Sequence, residues 1–405
     1  MKVIEQKYRL PFILITTMFL LWGLANNMTD TLLAAFKRIM DMSDTQTSFI
    51  QMAYYGAYFF IALPAALYIR KHSYKSGIIL GLLLYACGAI LFLPAAKAAS
   101  YAFYLIAIYI MAAGCSVLET TSNPYIMSMG SPETATRRLN IAQSFNPIGS
   151  ITGILMSKYF ILQDISLYSV SGTYMSLGLV LLAILIIMLF SHMPEGQDTD
   201  RHGQLSLTFR RLFRNKKYLY GIIAQFFYVG AQTCVWSFTI RIVMKELNWR
   251  ESEAATIYLI SIIAFCVSRF AFTALMKFFS PSSLLLAASI MSIVSSVAVV
   301  AATGTGWLLV IFLIAVSIFR SLMFPTIYGL ALADIENPEK GGCAGDTKIG
   351  ASGLIMAILG GAVLTPLQGI ISDTWGINIS YMVPAICFAV ILSYSLYVIR
   401  TEKRI

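Results

Sequence analysis

The sequence predicts an all-α integral membrane protein with twelve transmembrane helices in two pseudo-symmetric six-helix bundles. Three observations carry this reading: an apolar, charge-poor composition, apolar runs of spanning length, and one long basic loop after the sixth run. Of 405 residues, 58% are hydrophobic and 12% charged, with a mean hydropathy of +0.75. A soluble domain is roughly a quarter charged, so much of this apolar surface must face lipid. Runs near 10–33, 47–69, 76–96, 101–128, 139–162, 172–192, 218–241, 253–279, 283–303, 306–333, 349–372 and 379–399 can each cross a hydrocarbon core about 30 Å thick. The division is an N-terminal bundle over 1–192, a cytoplasmic linker over 193–217 and a C-terminal bundle over 218–405. The first apolar run continues into a full span, so no cleavable signal peptide is expected.

The net charge of +10 is distributed by side, which argues against a nucleic-acid partner. With the N-terminus inside, 20 of the 29 basic residues fall on the cytoplasmic side, six of them between Arg201 and Lys217, and six fall outside. This positive-inside bias predicts a multi-pass protein of a bacterial inner membrane with both termini cytoplasmic. The basic, amphipathic stretch Leu205–Leu212 is expected to lie along the lipid headgroups.

In chain order, the first span carries Asn26, Asn27 and Asp30. Spacings of four and three place all three on one helix face. Such a stripe is penalised against lipid, so it turns inward. It is either an inter-helix hydrogen-bond cluster or a cavity lining whose carboxylate changes protonation. The second span ends in Ala66-Leu67 before the basic Arg70 and Lys71, and the eighth echoes it with Ala274-Leu275 before Lys277. The fourth span holds Glu119; an intramembrane carboxylate suits proton binding and release, and a permanently protonated or arginine-paired glutamate is the other reading. Gln143 and Asn146 form an i,i+3 amide pair on the fifth span, followed by Gly149 and Gly153. With Gly56, Gly81, Gly88, Gly360 and Gly361, these small residues let membrane helices approach and slide.

In the second half, Gln225 and Gln232 share a face of the seventh span, with Tyr228 nearby and Trp236 one turn further. Arg269, eight residues before Lys277, lies within snorkelling reach of the cytoplasmic interface and reads as structural. Arg320 lies near the middle of the tenth span, one turn before Phe324, and must find a carboxylate, carbonyls or a ligand. Amides and flat aromatic rings together suit a sugar: amides serve the hydroxyls, and rings stack on the C–H faces.

Asp30 and Glu119 are the only acids deep in the spans, and His72, His192 and His202 all fall at cytoplasmic span ends. The two carboxylates are therefore the candidates for a coupling proton. The six cysteines show no metal-ligand spacing, and no nucleophile–base pair lies at one depth, so neither a metal site nor an enzyme is indicated. The readings that remain are a proton-driven monosaccharide importer, an exporter or antiporter of amphipathic compounds, and an importer of an acidic sugar.

The segments Phe19–Asp30, Ser73–Gly81, Leu118–Pro124, Arg138–Asn146 and Gln225–Ser237, in that order, resemble the fucose/galactose/glucose:proton symporters of the major facilitator superfamily, the bacterial L-fucose permeases most of all. The resemblance covers nearly the whole chain. It implies the major facilitator fold, alternating access and proton-driven uptake of L-fucose or a related hexose such as galactose or glucose. It places Asp30 and Glu119 at the family's two essential carboxylates and Gln143 and Asn146 in its sugar cavity. Asn26, Asn27, Gln225, Gln232, Trp236, Arg320 and Phe324 complete the expected substrate-binding set. The proton gradient is the driving force, with no cofactor; sugar, protons and membrane lipid are the partners, and the chain is expected to act as a monomer. Phe324 stands before Pro325 where L-fucose permeases carry a tyrosine, and Arg320 has no counterpart in the resemblance.

Overall fold

The computed structural model describes residues 3–39, 44–156, 160, 166–195, 204–333, 335–337, 342–343 and 345–402, without the side chains of 25–26, 28–39, 44–49, 51 and 251–252. The described chain is nearly all helix. The N-terminal half holds α1 (Arg9–Ile39), α2 (Asp44–Lys71), α3 (Tyr74–Ile90), α4 (Phe92–Ala98), α5 (Tyr101–Met127), α6 (Ala135–Gln143), α7 (Asn146–Met156) and α8 (Leu167–Phe190). After α9 (Leu205–Arg214) come α10 (Lys216–Leu247), α11 (Glu251–Leu275), α12 (Pro281–Ala301), α13 (Trp307–Phe319), α14 (Met323–Leu332), α15 (Asp346–Met356), α16 (Gly360–Trp375), α17 (Ile377–Ser380) and α18 (Met382–Glu402). By sequence position, α3–α4, α6–α7, α13–α14, α15–α16 and α17–α18 each fall on one of the expected spans. The single helices α1, α2, α5, α8, α10, α11 and α12 occupy the others. Among the described residues, nine helices are long and apolar enough to cross a bilayer.

The breaks within paths have local causes. A residue preceding proline avoids the α-region, and the proline supplies no N–H to the carbonyl four residues back. Pro147 follows the first residue of α7, and α6 has ended at Gln143. Pro325 follows a 3₁₀ turn, Arg320–Leu322, that separates α13 from α14. Gly376, at φ +93°, ends α16 and opens α17, a conformation that suits a residue lacking Cβ.

The chain forms two compact units. One comprises residues 1–135, 148–208 and 336–356; the other comprises 136–147, 209–335 and 357–405. Each therefore takes most of one half of the chain and one segment from the other half. In the first unit α15 packs on α2 and α5, and the Lys348 ammonium sits 4.9 Å from the Tyr74 ring centroid. In the second, α6 joins α14, with Asn140 Nδ2 donating to Thr326 Oγ1 at 3.3 Å.

Small residues set the closest helix approaches in each unit. A Cβ on Gly88 of α3 would lie 2.4 Å from Met111 N of α5, and one on Gly114 of α5 would lie 2.3 Å from Tyr85 N. A Cβ on Gly149 of α7 would lie 1.8 Å from the Leu20 carbonyl oxygen of α1. In the second unit, Gly360 meets the Phe226 carbonyl in the same way, at 2.0 Å. Gly56 differs from the expectation: among the described residues nothing lies within 4 Å of its Cβ position, so it mediates no close approach there.

The amphipathic segment of the linker forms α9. Thr208 and Leu212 are buried while Leu205, Leu207 and Phe213 remain exposed, with Arg211 and Arg214 in its last turn.

Candidate functional site

In the first unit, Glu119 lies on α5, the helix drawn against α3 at Gly114. Its side chain is 2% exposed, and neither carboxylate oxygen has a hydrogen-bond partner among the described residues. Cys115 precedes it by one turn, and Tyr58 of α2 lies within its electrostatic reach. The Tyr58 hydroxyl accepts the Trp22 indole N–H from α1, and its ring sits 5.5 Å from that of Tyr54. The carboxyl thus has aromatic and thiol neighbours and no ion pair among the described residues. Trp22 and Tyr58 were not singled out from sequence, because both read as ordinary aromatic span residues.

On α1, Asn27 is buried and its amide donates to the Gly23 carbonyl at 3.1 Å. The side chains of Asn26 and Asp30 lie outside the described residues, although their backbone is part of α1.

The second unit holds the other polar cluster, in which two buried arginines behave differently. Arg269 of α11 is 3% exposed and does not snorkel as the sequence led us to expect. Its Nε donates to the Ser321 carbonyl at 2.6 Å, and one Nη donates to the Gln143 carbonyl at 3.0 Å. In unbroken helices these two carbonyls would accept from residues 325 and 147, and both are prolines. One guanidinium therefore satisfies the carbonyls that two prolines leave open, and it joins α6 to the α13–α14 turn. Serving backbone carbonyls keeps Arg269 a structural residue, by a route different from the one expected. The signal was present in the spacing of Gln143 to Pro147 and of Ser321 to Pro325, but only the fold brings both to one arginine.

Arg320 is fully buried in the 3₁₀ turn. Its guanidinium lies 4.7 Å from the Trp236 ring centroid and 5.2 Å from that of Phe265. One Nη donates to the Gln232 backbone carbonyl at 3.3 Å, and Nε and Nη2 are buried without a partner among the described residues. Its own carbonyl accepts from the Tyr228 hydroxyl at 3.3 Å, and Tyr228 packs 6.1 Å from Phe324. Phe265, absent from the sequence-based set, orders this cluster: its ring sits 5.7 Å from Trp236 and 4.9 Å from the Arg269 guanidinium. Its position one turn before Arg269 was the only available hint.

The expected substrate residues of this unit are thereby placed. Gln232, Trp236, Arg320 and Phe324 come together around Phe265 and Tyr228. Gln225, two turns before Gln232, is fully buried with neither amide atom partnered among the described residues, and the Trp236 indole N–H is likewise unpartnered there. Gln143 is buried at the end of α6, meeting Arg269 through its carbonyl, and Asn146 opens α7 half-buried.

Residues 12–345 match the Major Facilitator Superfamily. The chain is 39% identical to the L-fucose-proton symporter of Haemophilus influenzae, covering 97% of each chain. It is 30% identical to a glucose/galactose transporter of Brucella abortus, covering 97% of this chain and 95% of that one. Among solved structures, a variant of the Escherichia coli fucose:proton symporter superposes with a TM-score of 0.86 at 32% identity, over 97% of this chain and 99% of that one.

Proposed function

This chain belongs to the Major Facilitator Superfamily, and we propose that it acts there as a proton-coupled symporter importing a monosaccharide by alternating access. L-fucose, galactose and glucose, the sugars in the names of its relatives, are the first to test. One observation carries the coupling assignment: Glu119 is buried without a hydrogen bond or ion pair among the described residues. A bare carboxylate in such surroundings has a desolvation penalty of several kcal/mol, which a bound proton removes. Loaded with proton and sugar, the transporter shifts toward inward opening; release of both to the cytoplasm resets it.

In this reading Asp30 and Glu119 carry the proton. Asn26, Asn27, Gln143, Asn146, Gln225, Gln232, Trp236, Arg320 and Phe324 meet the sugar. The bundles span 1–192 and 218–405 around a cytoplasmic 193–217 linker, and both termini face the cytoplasm of a bacterial inner membrane. The protein works as a monomer in lipid, driven by the proton gradient without a cofactor.

The test is a sugar panel in energised vesicles, with the external pH recorded as each sugar is added. At least one monosaccharide should enter with protons and accumulate above its external concentration. Efflux of preloaded sugar driven by an opposing proton gradient would identify an antiporter and overturn the assignment.

A further inference from the structure

The two buried arginines of the second unit pose different problems. The hydrogen bonds of Arg269 end on carbonyls freed by Pro325 and Pro147, which gives it a complete structural role. Arg320 has no such account. Trp236 and Phe265 lie against its guanidinium, and one Nη is occupied by the Gln232 carbonyl. What remains is Nε with Nη2, both buried and unpartnered among the described residues. These two N–H groups project from the same edge of the planar group, with the spacing of two carboxylate oxygens.

Charge narrows the ligand. A guanidinium stays protonated, and Arg320 forms no ion pair among the described residues. Tyr228, Tyr258 and Tyr381 act on it electrostatically, as does Arg269, the one formally charged group among these and of the same sign. A sugar hydroxyl could accept from the free edge, yet it would leave the buried charge uncompensated. A carboxylate would accept two parallel hydrogen bonds and neutralise that charge together. Against the guanidinium, the Trp236 N–H, buried and unpartnered among the described residues, supplies a donor for a ring hydroxyl.

Resting on the reading of this chain as a sugar symporter, we propose that its substrate is a sugar acid whose carboxylate is held by the Nε–Nη2 edge of Arg320. The neutral sugars of the relatives' names are then weaker ligands of the same protein.

Two readouts keep this proposal separate from the symport reading. The first is binding to purified wild-type protein, followed by tryptophan fluorescence and thermal shift, with D-galacturonate, D-glucuronate and D-galactonate against D-galactose, D-glucose and L-fucose. At least one acid should bind about tenfold or more tightly than its neutral parent, equivalent to about 1.4 kcal/mol. Arg320→Lys keeps the charge but loses the two-pronged edge, so that ratio should shrink in the variant. If no acid binds more tightly than the neutral sugars, the proposal is overturned, whether or not the variant folds. The second readout is acidification inside pyranine-loaded proteoliposomes on adding the same sugars. A tightly bound acid that moves no protons would sustain the carboxylate assignment and overturn symport; neutral sugars that move protons while no acid binds would do the reverse.

Discussion

Replacing Gly149 by alanine tests how the close approach of α7 and α1 supports transport. The new Cβ would lie 1.8 Å from the Leu20 carbonyl oxygen, which is backbone and cannot rotate away. Carbon and oxygen in contact sit about 3.3 Å apart, so the helices would have to part by roughly 1.5 Å. Overpacking of this kind costs about 1–3 kcal/mol. Alanine recovers about 1 kcal/mol through its higher helix propensity. The net expectation is a loss of up to about 2 kcal/mol, read as a fall of up to a few degrees in the thermal midpoint. Gly172 supplies the control, because it lies in α8 with nothing within 4 Å of its Cβ position. Gly172→Ala should keep or slightly raise the midpoint. The assay is thermal unfolding of purified protein by thiol-reactive fluorescence, paired with initial uptake rates in proteoliposomes. Because α1 carries Asn26, Asn27 and Asp30 beyond this contact, Gly149→Ala should slow uptake as well. Equal midpoints and full uptake for both variants would refute the packing argument.

Further perturbations bear on the arginines, the first-span carboxylate and the topology. Arg269→Met leaves two buried carbonyls without their donor, at about 1–3 kcal/mol each. Adding Pro325→Ala restores an N–H for Ser321, so the double variant should recover part of the lost thermal midpoint; no recovery would remove the proline-carbonyl account of Arg269. Asp30→Asn should abolish uphill sugar accumulation, and accumulation at the wild-type level would take Asp30 out of the coupling scheme. Reporters fused within the 193–217 linker and at the C-terminus should be active only if they require the cytoplasm; periplasmic activity at either point would invert the topology.

The spans were legible because runs of apolar residues long enough to cross a bilayer leave few alternatives once charge is this scarce. Pro147 and Pro325 carried a local signal that was not taken up as a break, since a missing N–H acts within one helix. The segment exchange was not legible: hydropathy says that 139–147 and 349–356 belong to spans, not which unit they join. The same limit hid the role of Arg269, whose position near a span end suggested snorkelling. Its two carbonyl partners lie 126 and 52 residues away in sequence. Arg320 stood out from sequence as a charge at depth, but its free edge emerged only once Trp236, Phe265 and the Gln232 carbonyl were placed. Gly56 shows the converse, a small residue in a span with nothing among the described residues within 4 Å of its Cβ position.

The central claim is that Glu119 couples sugar movement to protons, and Glu119→Gln tests it most directly. Glutamine keeps the shape of the protonated acid but cannot bind and release a proton. Wild type and variant should be reconstituted side by side and assayed in two ways: uphill accumulation under an imposed proton gradient, and exchange of labelled for unlabelled sugar with no gradient. The expected result is loss of accumulation in the variant with exchange at least partly retained. Undiminished accumulation against the sugar gradient by Glu119→Gln would contradict the account.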